Sequence, residues 1–127
     1  MPGGGNPPEG VTPETVLWRR IPPWHFPREG ETLPNSSAFD DDEDGSMSVV
    51  IAVPGRSPLD ILEGHDGFGL VRLLVSDLED ADQRLVPDPL PEEEDHALVV
   101  GEKTKPRRRR MKKACIWIVD PSGTIIL

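Results

Sequence analysis

An α+β fold is what the sequence predicts: one small domain with a sheet of about five or six strands and short helices, entered through a flexible N-terminal arm. Three observations lead there. Short, β-branched apolar runs recur along the chain, each closed by Pro, Gly or acidic residues. Between them stand segments with helix-start chemistry, a Ser or Thr followed by proline or an acid. The 127 residues are 35% apolar, with 15 Pro and 12 Gly. That is low against an average of roughly 45–50% that counts Gly, and it suits one modest core with long connections.

The elements follow in order. "MPGGGNPPEGVTP", residues 1–13, holds almost no core-forming side chains. It cannot offset its ordering entropy and is predicted to be a disordered arm, with the domain at 14–127. "ETVLWRRI" (14–21) is a first strand, stopped by Pro22 and Pro23. "PPWHFPREGETLPNSSAF" is a long irregular connection, and its aromatics predict a segment packed down on the body. "DDDED" (40–44) is an acidic loop, and "SMSVVIAV" (46–53) a buried strand. In "SPLDILEG", Ser57 is placed to cap a short helix, Pro58 to open it, Asp60 to complete a capping box and Gly64 to end it. "GFGLVRLLV" (67–75) is a further strand. "SDLEDADQ" (76–83) reads as a helix opened by Ser76 with Glu79 three residues on. "RLVPDPLP" is extended, "HALVVG" (96–101) and "CIWIV" (115–119) are strands, and "DPSG" is a turn from which "TIIL" returns as a hairpin partner.

The single cysteine, Cys115, excludes an intramolecular disulfide and a Cys-based zinc site. It opens an apolar run, which favours a small buried hydrophobe over a nucleophile. No N-terminal stretch joins basic residues to an apolar run, and no window approaches the roughly 18 apolar residues of a membrane helix. A cytoplasmic protein without a membrane segment is therefore expected. No cofactor or metal motif is present, and none is expected.

Charge is distributed unevenly. The formal net charge is -9, yet "KTKPRRRRMKK" (103–113) holds more than half of the 14 basic residues. Thr104 and Pro106 open a helix on which Met111, Ala114 and Cys115 share one face. Lys105, Arg109, Lys112 and Lys113 gather on the other. Such a stripe suits phosphates, with steep salt dependence. It also suits a solvated face partly neutralised by the chain's own "DDDED" and "EEED". No aromatic side chain interleaves the stretch, so nothing in it stacks on bases. Lys103, Lys105, Arg109, Lys112 and Lys113, with Trp24 as an exposed aromatic anchor, are the candidate binding residues.

The candidate chemistry centres on His25, His65 and His96. Two adjoin aspartates, in "HD" (65–66) and "DH" (95–96), and a metal site or a general base could be assembled from the three. Their spacing matches no compact metal motif. "LWRRIPPWH" followed by "NSSAF" resembles, in outline, the NAD-gripping Arg and Ser of ADP-ribosyltransferase-like toxins. That pattern also wants a late catalytic Glu on a defined turn, which has no counterpart here. Otherwise Arg19 and Arg20 pair with acids on a strand, and Ser36 and Ser37 make turn hydrogen bonds.

A wider stretch, Leu17 to Trp117, resembles a group of small uncharacterised bacterial proteins. It carries their R-R-I-P-P-x-H opening, their S-S-x-F-like turn and their late H-A-x-V-x-G segment followed by K-T-K. Arg-rich, Lys-poor composition also suggests a bacterial source. The resemblance implies a single domain and no particular activity, with Arg20, His25, Ser36, Ser37, Phe39, His96 and Lys103 as the positions of a shared site.

Three functional readings follow. The first is a non-enzymatic protein that docks a protein partner, or a second copy of itself, through opposed charged surfaces. The second is a nucleic-acid binder using residues 103–113. The third is a small enzyme, ADP-ribosyltransferase-like or a hydrolase, built from Arg20, His25 and His96 around Ser36 and Ser37. It requires those side chains to converge on one pocket.

Overall fold

The computed structural model describes residues 10–43 and 45–126. The fold is α+β, with one antiparallel sheet of six strands: β1 (Val16–Ile21), β2 (Met47–Ile51), β3 (Gly69–Leu74), β4 (Arg84–Pro87), β5 (His96–Val100) and β6 (Ile116–Val119). Their order across the sheet is β4-β5-β2-β1-β3-β6. Three helices accompany it: α1 (Pro58–Leu62), α2 (Val75–Asp80) and α3 (Lys105–Ala114). Short 3-10 turns form at Pro23–His25 and Ser36–Phe39.

Alternation along the strands sorts side chains onto two faces. Leu17, Ile21, Met47, Val49, Val71, Leu73, Ala97 and Val99 point to one face and bury Phe39, Leu78, Met111 and Cys115 against them. Trp18, Val50, Leu70 and Val119 point to the other, where Ile61 of α1 covers part of them. This second face is only partly roofed. Helix α1 is a five-residue element, and the end of the sheet over β2 and β5 is left to loops.

Local chemistry explains the helices. Ser57 Oγ accepts from Leu59 N–H (3.2 Å), and Asp60 accepts from Ser57 N–H (3.2 Å), the expected capping box. Gly64 ends α1 at φ +80°, the left-handed conformation that favours glycine. Thr104 caps α3 and Met111 is fully buried. Helix α2 differs from expectation. It opens at Val75, and Asp77, not Glu79, takes the free N–H of Leu74 at 2.8 Å. Starting one residue earlier turns Val75 and Leu78 into the core.

Other boundaries also shift. Of the predicted arm, residues 1–9 lie outside the described residues, while 10–13 already join the body. Val11 packs against the larger core cluster, and Pro13 O accepts from Ser76 N–H at 2.9 Å. The return after the Asp120–Gly123 turn is a single bridge, Val119 to Ile125, rather than a strand. Trp24 is not packed down but 71% exposed. Phe26 is, meeting the Trp117 ring edge-on at 6.1 Å.

Cys115 is buried, and desolvation pushes its thiol pKa up to about 12. The thiolate is the reactive form. The native protein is therefore expected to resist alkylation by iodoacetamide at mildly alkaline pH and to react fully in urea. Rapid labelling of the folded chain, followed by mass spectrometry, contradicts this burial.

Candidate functional site

A cavity of about 510 Å³ opens beside β1 and β2, lined from the half-roofed face by Trp18, Arg20, Val50 and His96 and also by Arg19, Asp42 and Val49, within the roughly 300–1,000 Å³ of small-molecule sites. Register builds its floor. Trp18 lies opposite Val50, and Val50 opposite His96, so these three form one row across β1, β2 and β5. Arg20 stands two residues beyond Trp18 on the same face. Pro22 and Pro23 end β1 and fold the chain into the 3-10 turn that brings Trp24 and His25 to the rim. Gly64 turns the chain off α1 so that His65 and Phe68 form another wall.

All three histidines of the chain line this cavity, together with Arg20 and Ser37. The convergence that an enzymatic reading requires is therefore present for Arg20, His25, Ser37 and His96. Ser36 does not line it. Phe39 and Lys103 lie behind it: Phe39 is fully buried in the core, and Lys103 is 7% exposed. Sequence reasoning grouped His65 with the other histidines as candidate chemistry but gave Phe68 and Glu43 no place in the site. The glycine turns around His65 and Phe68 were visible, but where they aim the side chains is a tertiary fact.

The aspartates adjacent to the histidines are not their partners. Neighbours on a strand point to opposite faces, so Asp95 turns away from His96 and pairs with Arg56 at 3.1 Å. His96 Nδ1 instead meets the backbone carbonyl of Asp88 at 2.9 Å and its carboxylate at 3.2 Å. A carbonyl oxygen only accepts, so Nδ1 carries a proton, and Nε2 has no hydrogen-bond partner among the described residues. His25 Nδ1 is bonded to Ser37 Oγ at 3.1 Å. No carboxylate among the described residues orients His25, so this pair lacks the third member of a nucleophilic triad. Burial, reinforced by the Arg19 charge, holds His25 below the ordinary histidine pKa. Burial and Arg20 do the same for His65. Both rings are neutral at pH 7.

The two adjacent arginines have opposite fates. Arg19 points to the closed face, where it donates to Ala38 O (3.0 and 3.2 Å) and Ser48 O (2.8 Å) and forks onto Asp42 (3.0 and 3.3 Å). Burial works to raise the Asp42 pKa, but these bonds and the Ser48 N–H hold it below its usual range. Arg20 donates only Nε, to Ile61 O at 2.6 Å. Its terminal nitrogens have no ion-pair or hydrogen-bond partner among the described residues. The nearby acids are taken, since Arg56 holds Glu93 (2.8 and 2.9 Å) as well as Asp95. Desolvation lowers the Arg20 pKa, Glu93 opposes it, and Arg19 and Arg56 lower it further. The guanidinium stays charged throughout.

The acidic loop at the cavity mouth is largely neutralised by the basic stretch. Lys103 Nζ sits 2.8 Å from Asp41, Arg108 is 3.8 Å from Asp40, and Arg19 holds Asp42. Arg107 and Arg110 share Asp82, and Lys112 reaches Glu31. Within residues 103–113, only Lys105, Arg109 and Lys113 have no carboxylate partner among the described residues, and all three are exposed. Lys103 is thus a core cation, not a docking residue. Helix α3 contributes nothing to the cavity lining, while Trp24 belongs to it, so the candidate anchor and the stripe are separate features.

Among the described residues, no group of three or more His, Cys, Asp or Glu side chains is arranged to hold a metal ion, and no helix is long and apolar enough to cross a membrane. No known protein family, curated protein or solved structure matches the chain.

The lowered histidine and Asp42 values carry a pH prediction. Near the ordinary histidine value of about 6.5, the folded state binds fewer protons than the unfolded chain. Stability therefore falls as pH drops through that region. Asp42 adds stability that is present above about pH 4 and is lost as pH falls through its depressed folded value. Urea midpoints are expected to decline from about pH 7.5 to 5.5, and His25→Gln with His65→Gln should flatten that step. A midpoint that rises over this range contradicts the assignment.

Proposed function

We propose that the protein binds a small anionic ligand in this cavity and acts on it by acid–base chemistry. Arg20 is the anion anchor, and His25, His65 and His96 are the proton-transfer groups. The observation that carries the reading is an arginine with unclaimed terminal nitrogens in a cavity that gathers every histidine of the chain. A guanidinium offers a planar fork to carboxylate or phosphate. Imidazoles beside it accept or relay protons near pH 7. His96 is the best oriented of the three, because its Nδ1 proton is held by Asp88 and its other nitrogen is left for ligand.

A second reading keeps protein docking on the row Lys105, Arg109 and Lys113. What favours it is that these residues repeat at i, i+4 spacing on the exposed face of α3 without internal partners.

The first reading is tested by following the histidine C2–H proton signals during titration with pyrophosphate. With three histidines in the chain, the spectrum is simple. Saturable shifts of all three signals are expected, and their absence in Arg20→Met. Signals that stay unmoved in the wild-type protein contradict the reading.

A further inference from the structure

We infer that the ligand is a nucleoside monophosphate, its base stacked on Trp24 at the cavity mouth and its phosphate held by Arg20. This rests on the anion site proposed above and names its ligand class. Beside Arg20 the cavity is lined by Trp18 in its floor and by Trp24, Phe68 and the three histidine rings. Phe68 meets Trp24 edge-on, with centroids 5.9 Å apart at 81°, and meets His65 at 5.2 Å and 60°. His25 is tilted at 57° to Trp24. No aromatic ring among the described residues therefore lies parallel to the indole face, and Trp24, in edge contact with Phe68, is 71% exposed. An exposed indole held on edge beside an unpaired guanidinium matches a ligand that carries a flat ring and an anion.

The polar lining suits the sugar between them. Ser37 and Glu43 offer a hydroxyl and a carboxylate, and Glu43 has no ion-pair partner among the described residues. A carboxylate accepts hydrogen bonds from ribose hydroxyls. The cavity volume holds one such ligand, not a polymer.

The test compares four nucleoside monophosphates (AMP, GMP, CMP and UMP) with ribose 5-phosphate by calorimetry, on the wild-type protein and on Trp24→Ala. Trp24 is exposed, so its removal leaves the core intact. At least one nucleotide is expected to bind about 5- to 100-fold more tightly than ribose 5-phosphate, the range of a single base stack. Trp24→Ala should erase that margin. If ribose 5-phosphate binds as tightly as all four nucleotides, the base site is overturned and the anion site stands. A margin that survives in Trp24→Ala also overturns it. If none of the five compounds binds, the anion reading fails and this inference with it.

Discussion

Lys103→Met is expected to destabilise the fold by about 3 kcal/mol, although the residue opens what looks like a solvated cationic stretch. An orphaned buried polar group costs about 1–3 kcal/mol, and breaking a buried ion pair about 3–5. The Lys103 side chain is 2% exposed, and its ammonium donates to Val99 O at 2.8 Å and Gly101 O at 3.0 Å while meeting Asp41 at 2.8 Å. Methionine fills the same space and leaves both carbonyls with one partner fewer. Asp41 is 43% exposed and regains water, which keeps the effect below the upper figure. Lys105→Met, on the exposed side of α3, should change stability by less than about 0.5 kcal/mol. Urea denaturation of the two variants measures the difference. Equal midpoints show that Lys103 is solvated.

Arg19→Met should cost about 2–4 kcal/mol, and Arg19→Lys should recover little of it. One guanidinium ties β1 to the Ser36–Phe39 turn through Ala38 O, to β2 through Ser48 O, and to the acidic loop through Asp42. A lysine ammonium cannot reproduce this planar fork. Because Asp40, Asp41, Asp42 and Ser37 line the cavity, the same change loosens one of its walls. Denaturant midpoints measure the stability. Wild-type stability in Arg19→Lys shows that charge alone suffices there.

The contrast between Arg19 and Arg20 marks how far the sequence is legible. That both lie on a strand follows from "VLWRRI" and the prolines after it. That alternation sends them to opposite faces follows too. Which face is closed, and that Asp42 waits on it, depends on loops far away in sequence. Helix α3 illustrates the same limit. Its wheel turned Met111 inward and left Lys105, Arg109 and Lys113 outside, whereas Lys112, assigned to the same outer face, is half-buried and reaches Glu31. It said nothing of Lys103, which precedes the helix and is buried with its ammonium against Asp41 and the carbonyls of Val99 and Gly101. His96 appeared to have a partner in Asp95, a relation the strand's own geometry forbids. Its actual partner, Asp88, reaches it because β4 pairs with β5. The cavity floor arises from the sheet order β5-β2-β1, which is not the order of the chain. Local patterns supplied the elements; the site came from how they cross.

The central claim is that function resides in the cavity and not on the basic helix. Calorimetric titration with pyrophosphate of two variants, Arg20→Met and the triple exchange of Lys105, Arg109 and Lys113 to Gln, tests it most directly. Hydrogen bonds to a charged group are worth about 1.5–3 kcal/mol, so Arg20→Met should weaken binding ~10- to 100-fold. The helix variant should bind as the wild type does. Loss of binding in the helix variant with retention in Arg20→Met would contradict the account and move the function to α3.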